Sequence, residues 1–320
     1  MYHSILVTGG CGFIGSNLVS KLLASGVKVR IFDNFSRPAK TNFGLPNLEI
    51  IQGDIRDYVA LQSAVDGVEA VVHLAAFGSV IESIDDPVEN FEINARGTFN
   101  VLRASQQAGV SRVIFASTGG ALIGDAVPPV NEKSLPKPIS PYGASKLCGE
   151  AYCHAFAKSY GLHTVALRFA NVYGPNSAHK RGATTTFIKA LISGEPIVIY
   201  GDGKASRDYL HVDDLCMGIA LALEGQLQPG AVLHLASGKE TTVGELAFML
   251  ADIAGKKDHT IMYKESRQGE VLRNFASAEL AKNLLGFEPK HSLRSGLGNT
   301  WQWFLQQDLD TLLRVKTTES

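Results

Sequence analysis

Thr8-Gly9-Gly10-Cys11-Gly12-Phe13-Ile14-Gly15 decides the fold. It follows a short apolar run, Ile5-Leu6-Val7, of the kind a buried strand uses. It opens a segment in which Leu18, Val19, Leu22 and Leu23 keep a helical period until Gly26 ends it. Val27 to Phe32 then reads as a second strand, closing on Asp33. Each part of this strand, glycine loop, helix, strand and acid has a physical reason. Gly9 permits the tight turn, Gly12 lets the backbone approach a pyrophosphate, and Gly15 lets the helix pack close to the strand. The amide groups and dipole at the helix N-terminus hold phosphates. Asp33, eighteen residues after Gly15, accepts hydrogen bonds from a ribose diol and repels a 2′-phosphate. That favours NAD over NADP, with Arg37 as the opposing cation.

The alternation continues outward. Leu48 to Gln52 is a third strand, ending in Gly53-Asp54-Ile55; Asp54 either meets an adenine amino group or caps a helix beginning near Asp57. Ala70 to Leu74 is a fourth strand, and the small side chains of Ala75-Ala76-Phe77-Gly78-Ser79 leave room for a dinucleotide to lie across its end. One long helix is predicted over Pro87 to Gln107, with Asn94 inside it as either a solvent-facing residue or a buried hydrogen-bonding support. Val113 to Ala116 is a fifth strand running into Ser117-Thr118-Gly119-Gly120, Asp125 to Pro138 a proline-rich loop, and Thr164 to Phe169 a sixth strand. Repeated βα units with apolar strands predict a Rossmann-type α/β fold, a doubly wound parallel sheet. Ligands of such sheets bind beyond the strand C-termini, where Gly9 to Gly15, Asp33, Asp54, Ala75, Thr118 and Asn171 all fall. After Asn171-Val172-Tyr173-Gly174-Pro175 the alternation lapses. Residues 1–174 are therefore read as the NAD-binding domain, with segments near 209–238 returning to it, and 175–320 mainly as a smaller substrate-binding lobe. Two loops there carry Arg207 and Arg267, which suit phosphates, or else remain surface arginines.

Bulk properties remove several classes of function. The 320 residues carry a net charge of −1, with 45% hydrophobic and 19% charged residues, so no footprint for nucleic acid or an anionic membrane is visible. No apolar run reaches the ~20 residues a membrane span needs. The chain enters its first strand directly after Ser4, which leaves no room for a signal peptide and predicts a cytoplasmic protein. Cys11, Cys148, Cys153 and Cys216 are scattered without a C-x-x-C, as in a reduced compartment. The nine histidines show no metal-ligand spacing, and no metal is expected.

Ser140-Pro141-Tyr142-Gly143-Ala144-Ser145-Lys146 carries the chemistry. Ser140 suits an N-cap and Pro141 the first helical position, so Tyr142 and Lys146 project from one helix face, one turn apart. A phenolate costs about 4 kcal/mol at pH 7, and an adjacent cation lowers that cost. Such a pair alone also reads as a surface Tyr/Lys contact. The strand-end convergence is what sets a nicotinamide beside it.

With these pieces in place the chain resembles the extended short-chain dehydrogenase/reductase superfamily, and within it the UDP-glucose (UDP-galactose) 4-epimerase type. The resemblance rests on T-G-G-x-G-F-I-G at Thr8 to Gly15, D-N at Asp33-Asn34, G-D-I-R-D at Gly53 to Asp57, H-L-A-A at His73 to Ala76, Y-G-A-S-K at Tyr142 to Lys146, N-V-Y-G-P at Asn171 to Pro175 and R-D-Y-x-H-V-D-D at Arg207 to Asp214. It implies NAD as cofactor, a UDP-sugar as substrate and a homodimer formed through helices near Glu89 to Gln107 and Tyr142 to Tyr160. It implies cofactor contacts from Gly9, Gly12, Phe13, Ile14, Gly15, Asp33, Asn34, Asp54, Ile55, Leu74, Ala75, Ala76, Tyr142, Lys146 and Phe169. Substrate contacts are implied for Ser79, Thr118, Tyr142, Asn171, Tyr200, Arg207, Arg267 and Glu270. Tyr142 takes the proton from the sugar 4-hydroxyl as hydride passes from C4 to NAD⁺, then returns it after the 4-keto sugar has turned over. Lys146 holds the nicotinamide ribose, and Thr118 bonds the reacting oxygen.

The departures from the pattern are informative. Ser117 to Gly124 reads S-T-G-G-A-L-I-G, one residue longer than the commoner form, which makes Thr118 rather than Ser117 the counterpart of the catalytic Ser/Thr. Ile123 stands where many relatives have Tyr. Asn274, near a position that gates the sugar 2-substituent, leaves N-acetyl sugars open. A 4,6-dehydratase needs an acid and a base directly after the Thr, where this chain has Gly119 and Gly120, which transfer no protons. A UDP-glucuronate decarboxylase stays open as an alternative. A non-catalytic dinucleotide sensor predicts loss of Tyr142 or Lys146, and both are present.

Overall fold

The structure is a computed structural model and describes residues 2–266, 271–308 and 312. Fourteen strands are named among them: β1 (Ser4–Thr8), β2 (Lys28–Asp33), β3 (Leu48–Gln52), β4 (Ala70–His73), β5 (Arg112–Thr118), β6 (Thr164–Phe169), β7 (Asn171–Tyr173), β8 (Ile197–Tyr200), β9 (Ser206–Arg207), β10 (Tyr209–His211), β11 (Ala231–Leu235), β12 (Thr241–Thr242), β13 (Ile261–Lys264) and β14 (Arg273–Asn274). Seven form one sheet in the order β3-β2-β1-β4-β5-β6-β11, and every pairing in it is parallel. The order reverses between β1 and β4, which opens the crevice where an open α/β sheet takes its ligand.

Both faces of this sheet are covered, and the strand sequences show why. Ile5 and Val7 belong to one core cluster and Leu6 to another, and Ile114 and Ala116 oppose Val113 and Phe115 in the same way. Successive side chains point to opposite faces, so a strand apolar at every position needs a layer on each side. One layer holds α1 (Phe13–Ala24); the other holds α2 (Tyr58–Val65). The helix predicted over Pro87 to Gln107 is broken in type. After α3 (Val80–Asp85), α4 (Pro87–Phe91) runs into a π-helical turn at Glu92–Arg96 before α5 (Gly97–Gln107) resumes. Single π turns inside α-helices gather at functional sites, and periodicity in sequence does not reveal them.

α6 (Pro141–Tyr160) begins as its sequence predicts. Ser140 caps it by accepting from the Gly143 amide at 3.1 Å, Pro141 takes the first turn, and Gly161 closes it in the left-handed conformation at φ 71°. Two glycines then let it sit close to β5 and to the loop that follows that strand. A Cβ on Gly149 would lie 2.3 Å from Phe115, and one on Gly143 would lie 2.1 Å from the Ala121 carbonyl.

The remaining elements are α7 (Ala183–Ser193), α8 (Val212–Glu224), α9 (Val243–Ile253), α10 (Glu279–Leu285) and α11 (Leu293–Leu305). α7, α9 and α11 enclose a separate apolar cluster around Phe187, Leu246, Leu250, Trp301 and Phe304, beside the small sheets β13-β8 and β12-β9-β14. α8 packs back on α1, and β11 completes the large sheet.

Candidate active site

The glycine loop is held from both sides. Gly9 has φ +69°, and a Cβ there would lie 2.7 Å from the Ala75 amide at the end of β4. A Cβ on Gly15 would lie 2.2 Å from the Gly9 carbonyl. Gly12 stands at the N-cap of α1 with no side chain closing it, so the first-turn amides at Phe13 and Ile14 face the crevice as an anion cradle. Asp33, almost fully buried, accepts from the Cys11 amide at 2.9 Å and the Phe35 amide at 2.8 Å. The carboxylate that would meet a ribose thus also fixes the loop. Thr8 adds a second tie: its hydroxyl bonds His73 Nδ1 at 2.7 Å and accepts from the Ala75 amide at 3.3 Å, and His73 Nε2 meets Thr98 at 3.0 Å. Leu74 and Ala76 extend the same strand end.

Burial drives His73 down to about 3, assisted by the Lys146 charge, against an ordinary histidine value near 6.5. Its folded value is depressed, so its contribution to stability is fully present above about pH 6.5 and is lost as pH falls toward 3. Between pH 6 and 4, the slope of unfolding free energy against pH should be smaller in His73→Asn by about 1.4 kcal/mol per pH unit, one proton's worth. Urea titrations of both proteins across that window test it; equal slopes would mean His73 is not buried neutral.

Asp54 does not cap α2. Asp57 does so, accepting from the Ala60 amide at 3.1 Å. The Asp54 carboxylate is instead gripped by Arg56 at 2.8 Å and by Asn34 at 3.1 Å; the Arg56 hydrogen bond holds its pKa down to about 2. Ile55 is buried against Gly97. Ser79 caps α3 by accepting from the Glu82 amide at 3.2 Å. Asn94, open to two readings from sequence, is the buried support: it accepts from the Phe77 amide at 2.8 Å and donates to Ser145 at 3.0 Å. The π turn is what aims it there, between the end of β4 and α6.

Tyr142 and Thr118 come together, and the Thr118 hydroxyl favours the Tyr142 phenolate. Burial outweighs it and pushes the Tyr142 phenol up to about 12. Lys146 does not pair with Tyr142 directly. Its ammonium donates to the Ala116 carbonyl at 2.9 Å and lies 5.0 Å from the Phe115 ring and 5.9 Å from the Tyr142 ring. Burial lowers Lys146 to about 8. Phe169 closes this edge, its carbonyl accepting from the Gly119 amide at 2.9 Å. Gly119 and Gly120 are glycines for space: a Cβ at 119 would lie 3.1 Å from His234, and one at 120 would lie 2.2 Å from the Asn274 amide.

On the other side of the crevice, Arg207 on β9 pairs in register with Asn274 and donates to the Ser206 and Val271 carbonyls. Asn171 is exposed at the start of β7, and Tyr200 is half-buried at the end of β8. Arg267 and Glu270 lie outside the described residues. Sequence reasoning missed Glu82, which binds Arg37 at 2.7 Å and Arg181 at 2.9 Å and so joins three distant segments. Nothing in its spacing could have shown this. Among the described residues, His211, Asp213 and His291 bring potential metal ligands within 4.8 Å. The two imidazoles stack at 4.2 Å and 26°, so their in-plane lone pairs run side by side, and Asp213 is already paired with Lys21 at 2.9 Å. This is a packing cluster rather than a metal centre.

The NAD dependent epimerase/dehydratase family model matches residues 5–240. A UDP-glucose 4-epimerase from Thermotoga maritima, solved with UDP-glucose, superposes with a TM-score of 0.90 at 38% identity, covering 94% of this chain and 98% of that one. The Thermus thermophilus UDP-glucose 4-epimerase, solved with NAD, gives 0.89 at 34% identity over 95% and 100% of the two chains. A UDP-N-acetylglucosamine 4-epimerase from Methanobrevibacter ruminantium, in complex with UDP-N-acetylmuramic acid, gives 0.90 at 32% identity over 96% and 99%. The chain belongs to the NAD dependent epimerase/dehydratase family, within the extended short-chain dehydrogenase/reductases. It is an NAD-dependent enzyme of the nucleotide-sugar epimerase group.

Proposed function

We propose that the protein is a UDP-hexose 4-epimerase working on UDP-glucose and UDP-galactose or their N-acetylated forms through a transient 4-keto sugar. The observation that carries this reading is Thr118 at the end of β5 beside Tyr142, followed by two glycines. One proton carrier stands at the sugar 4-oxygen, and no acid–base pair follows it to expel water. Bound NAD supplies the hydride acceptor, and later the donor, at C4. Tyr142 takes the 4-hydroxyl proton and returns it, Thr118 orients that oxygen, and Lys146 holds positive charge beneath the phenol. The Phe13 and Ile14 amides hold the cofactor phosphates and Asp33 its ribose. Asn171, Arg207, Arg267 and Glu270 hold the UDP, leaving the sugar with few strong contacts so that it can turn over.

Residues 1–174, with the returning segments near 209–238, act as the NAD-binding domain, and 175–320 mainly as the substrate lobe. The protein works as a cytoplasmic homodimer. Val88, Phe91, Tyr152 and Tyr160 are exposed on the helices that would meet. Between α4 and α6 lies a cavity of about 300 Å³ lined by Pro87, Phe91, Ala144 and Cys148. Among the described residues no helix is long and apolar enough to cross a membrane.

The test is incubation with UDP-glucose, UDP-galactose, both N-acetyl forms and UDP-glucuronate, with products read by NMR. Interconversion of a 4-epimer pair is expected. Release of CO₂, or a 6-deoxy-4-keto product, would replace this reading by a decarboxylase or a dehydratase.

A further inference from the structure

Behind the Tyr142–Thr118 pair lies a second layer of polar groups, fully buried and outside the proton chemistry. Glu150 follows Lys146 on α6 as Lys146 follows Tyr142, so the three project from one helix face. The Glu150 carboxylate accepts from Ser117 Oγ at 2.6 Å, Arg168 Nε at 2.9 Å and Arg168 Nη2 at 2.8 Å. Ser117 and Arg168 are register partners on β5 and β6, and Arg168 and His234 are partners on β6 and β11. The three therefore form one row across the sheet, immediately before the row that holds Thr118 and Phe169. Arg168 Nη1 approaches His234 Nε2 at 3.5 Å. A guanidinium only donates, so Nε2 accepts and the neutral imidazole carries its proton on Nδ1. That Nδ1 lies 3.1 Å from where a Cβ of residue 119 would stand. Gly119 therefore belongs to this layer as well as to the site.

A buried ion pair is a poor way to gain stability, because two apolar side chains of the same volume pack without its desolvation cost. What an apolar pair lacks is direction. A bidentate carboxylate–guanidinium fork fixes both the separation and the angle of its partners. Here the partners are α6, which carries Tyr142, and strands β5 and β6, which carry Thr118 and Phe169.

We propose that Glu150 and Arg168, with Ser117 and His234, are positioning residues that set α6 against β5 and so fix where Tyr142 stands relative to Thr118. This rests on Tyr142 being the proton carrier of the proposed reaction. The fork lies two helical turns beyond Tyr142, so a tilt of α6 permitted by its loss is felt at the phenol. Displacements of about 1 Å at a reacting group cost on the order of 100-fold in rate.

The experiment replaces the fork by apolar isosteres, Glu150→Met with Arg168→Met, in the full chain loaded with NAD. Turnover on whichever UDP-sugar the parent converts should fall about 100-fold, with KM and NAD content within about threefold of the parent. A second readout is independent of the sugar: the tyrosinate absorbance of the cofactor-free protein against pH, with Tyr142→Phe as the baseline. Displacement of Tyr142 from Thr118, whose hydroxyl favours the phenolate, moves the Tyr142 ionisation upward, whereas a merely stabilising ion pair would lower Tm and leave it in place. Glu150→Gln, which keeps an acceptor for Ser117 and Arg168, should recover most of the lost turnover. If the double variant does not fold, Ser117→Ala removes one bond of the layer and is read the same way. An unchanged Tyr142 ionisation together with turnover within threefold of the parent overturns the proposal. A parent that converts no UDP-sugar while the ionisation still moves overturns the epimerase reading alone.

Discussion

Replacing Tyr142 by Phe is expected to lower turnover by about 10²–10⁴-fold, the range that positioned general acid–base groups supply. The variant should fold and retain NAD. The ring is isosteric, and the hydroxyl that is lost is one that burial had disfavoured as an anion. In the bare chain that burial holds the phenol at about 12, so at pH 7 the phenolate is scarce. The folded value lies above the ordinary 10, and a nearby cation works against it. Loading with NAD⁺ should therefore bring the tyrosinate absorbance of the parent to lower pH, and Tyr142→Phe should remove that component in both states. Undiminished turnover in the Phe variant would place the proton carrier elsewhere.

Gly15→Val is expected to abolish NAD retention. Even a methyl group at residue 15 would lie 2.2 Å from the Gly9 carbonyl and 2.7 Å from the Gly10 Cα. Both are backbone atoms, so no rotamer change relieves the contact. Either α1 moves off β1 or the loop opens, and in both cases the Phe13 and Ile14 amides leave their places. A loss of roughly 3 kcal/mol corresponds to a hundredfold weaker affinity, and strain from overpacking adds to it. Equilibrium dialysis with NAD, beside a thermal melt, separates the two consequences. A variant that binds NAD within threefold of the parent would show that the loop tolerates what its geometry forbids.

How far the sequence reached depended on the range of each interaction. The glycine loop, the Ser140 cap and the alternating strands are local, and their residues announce them. Thr118 could be placed because it ends a strand. Asn94 stayed ambiguous because its direction comes from a π turn that no apolar period encodes. Of the two readings open for Asp54, the helix cap fails because Arg56, two residues on, takes its carboxylate. The layer formed by Glu150, Arg168 and His234 stayed hidden, since three residues on one helix and two strands meet only through register. Only the glutamate four residues after Lys146 offered a hint. Lys146 itself corrects the simplest picture. Its ammonium lies 5.9 Å from the Tyr142 ring, while its hydrogen bond goes to the Ala116 carbonyl on the strand.

The π turn at Glu92–Arg96 also constrains how this chain can vary in length. An α-helix rotates about 100° per residue, and a π turn stores one residue beyond the regular count. Deleting a single residue from 92–96 would leave a perfectly good α-helix. It would also swing everything upstream by about a quarter turn. Asn94 would lose Phe77 and Ser145, and Phe91 would leave the cavity it lines with α6. Insertions and deletions are usually tolerated at loop tips. Here the residue that cannot be spared lies mid-helix, where any alignment built on helical periodicity would count it as surplus.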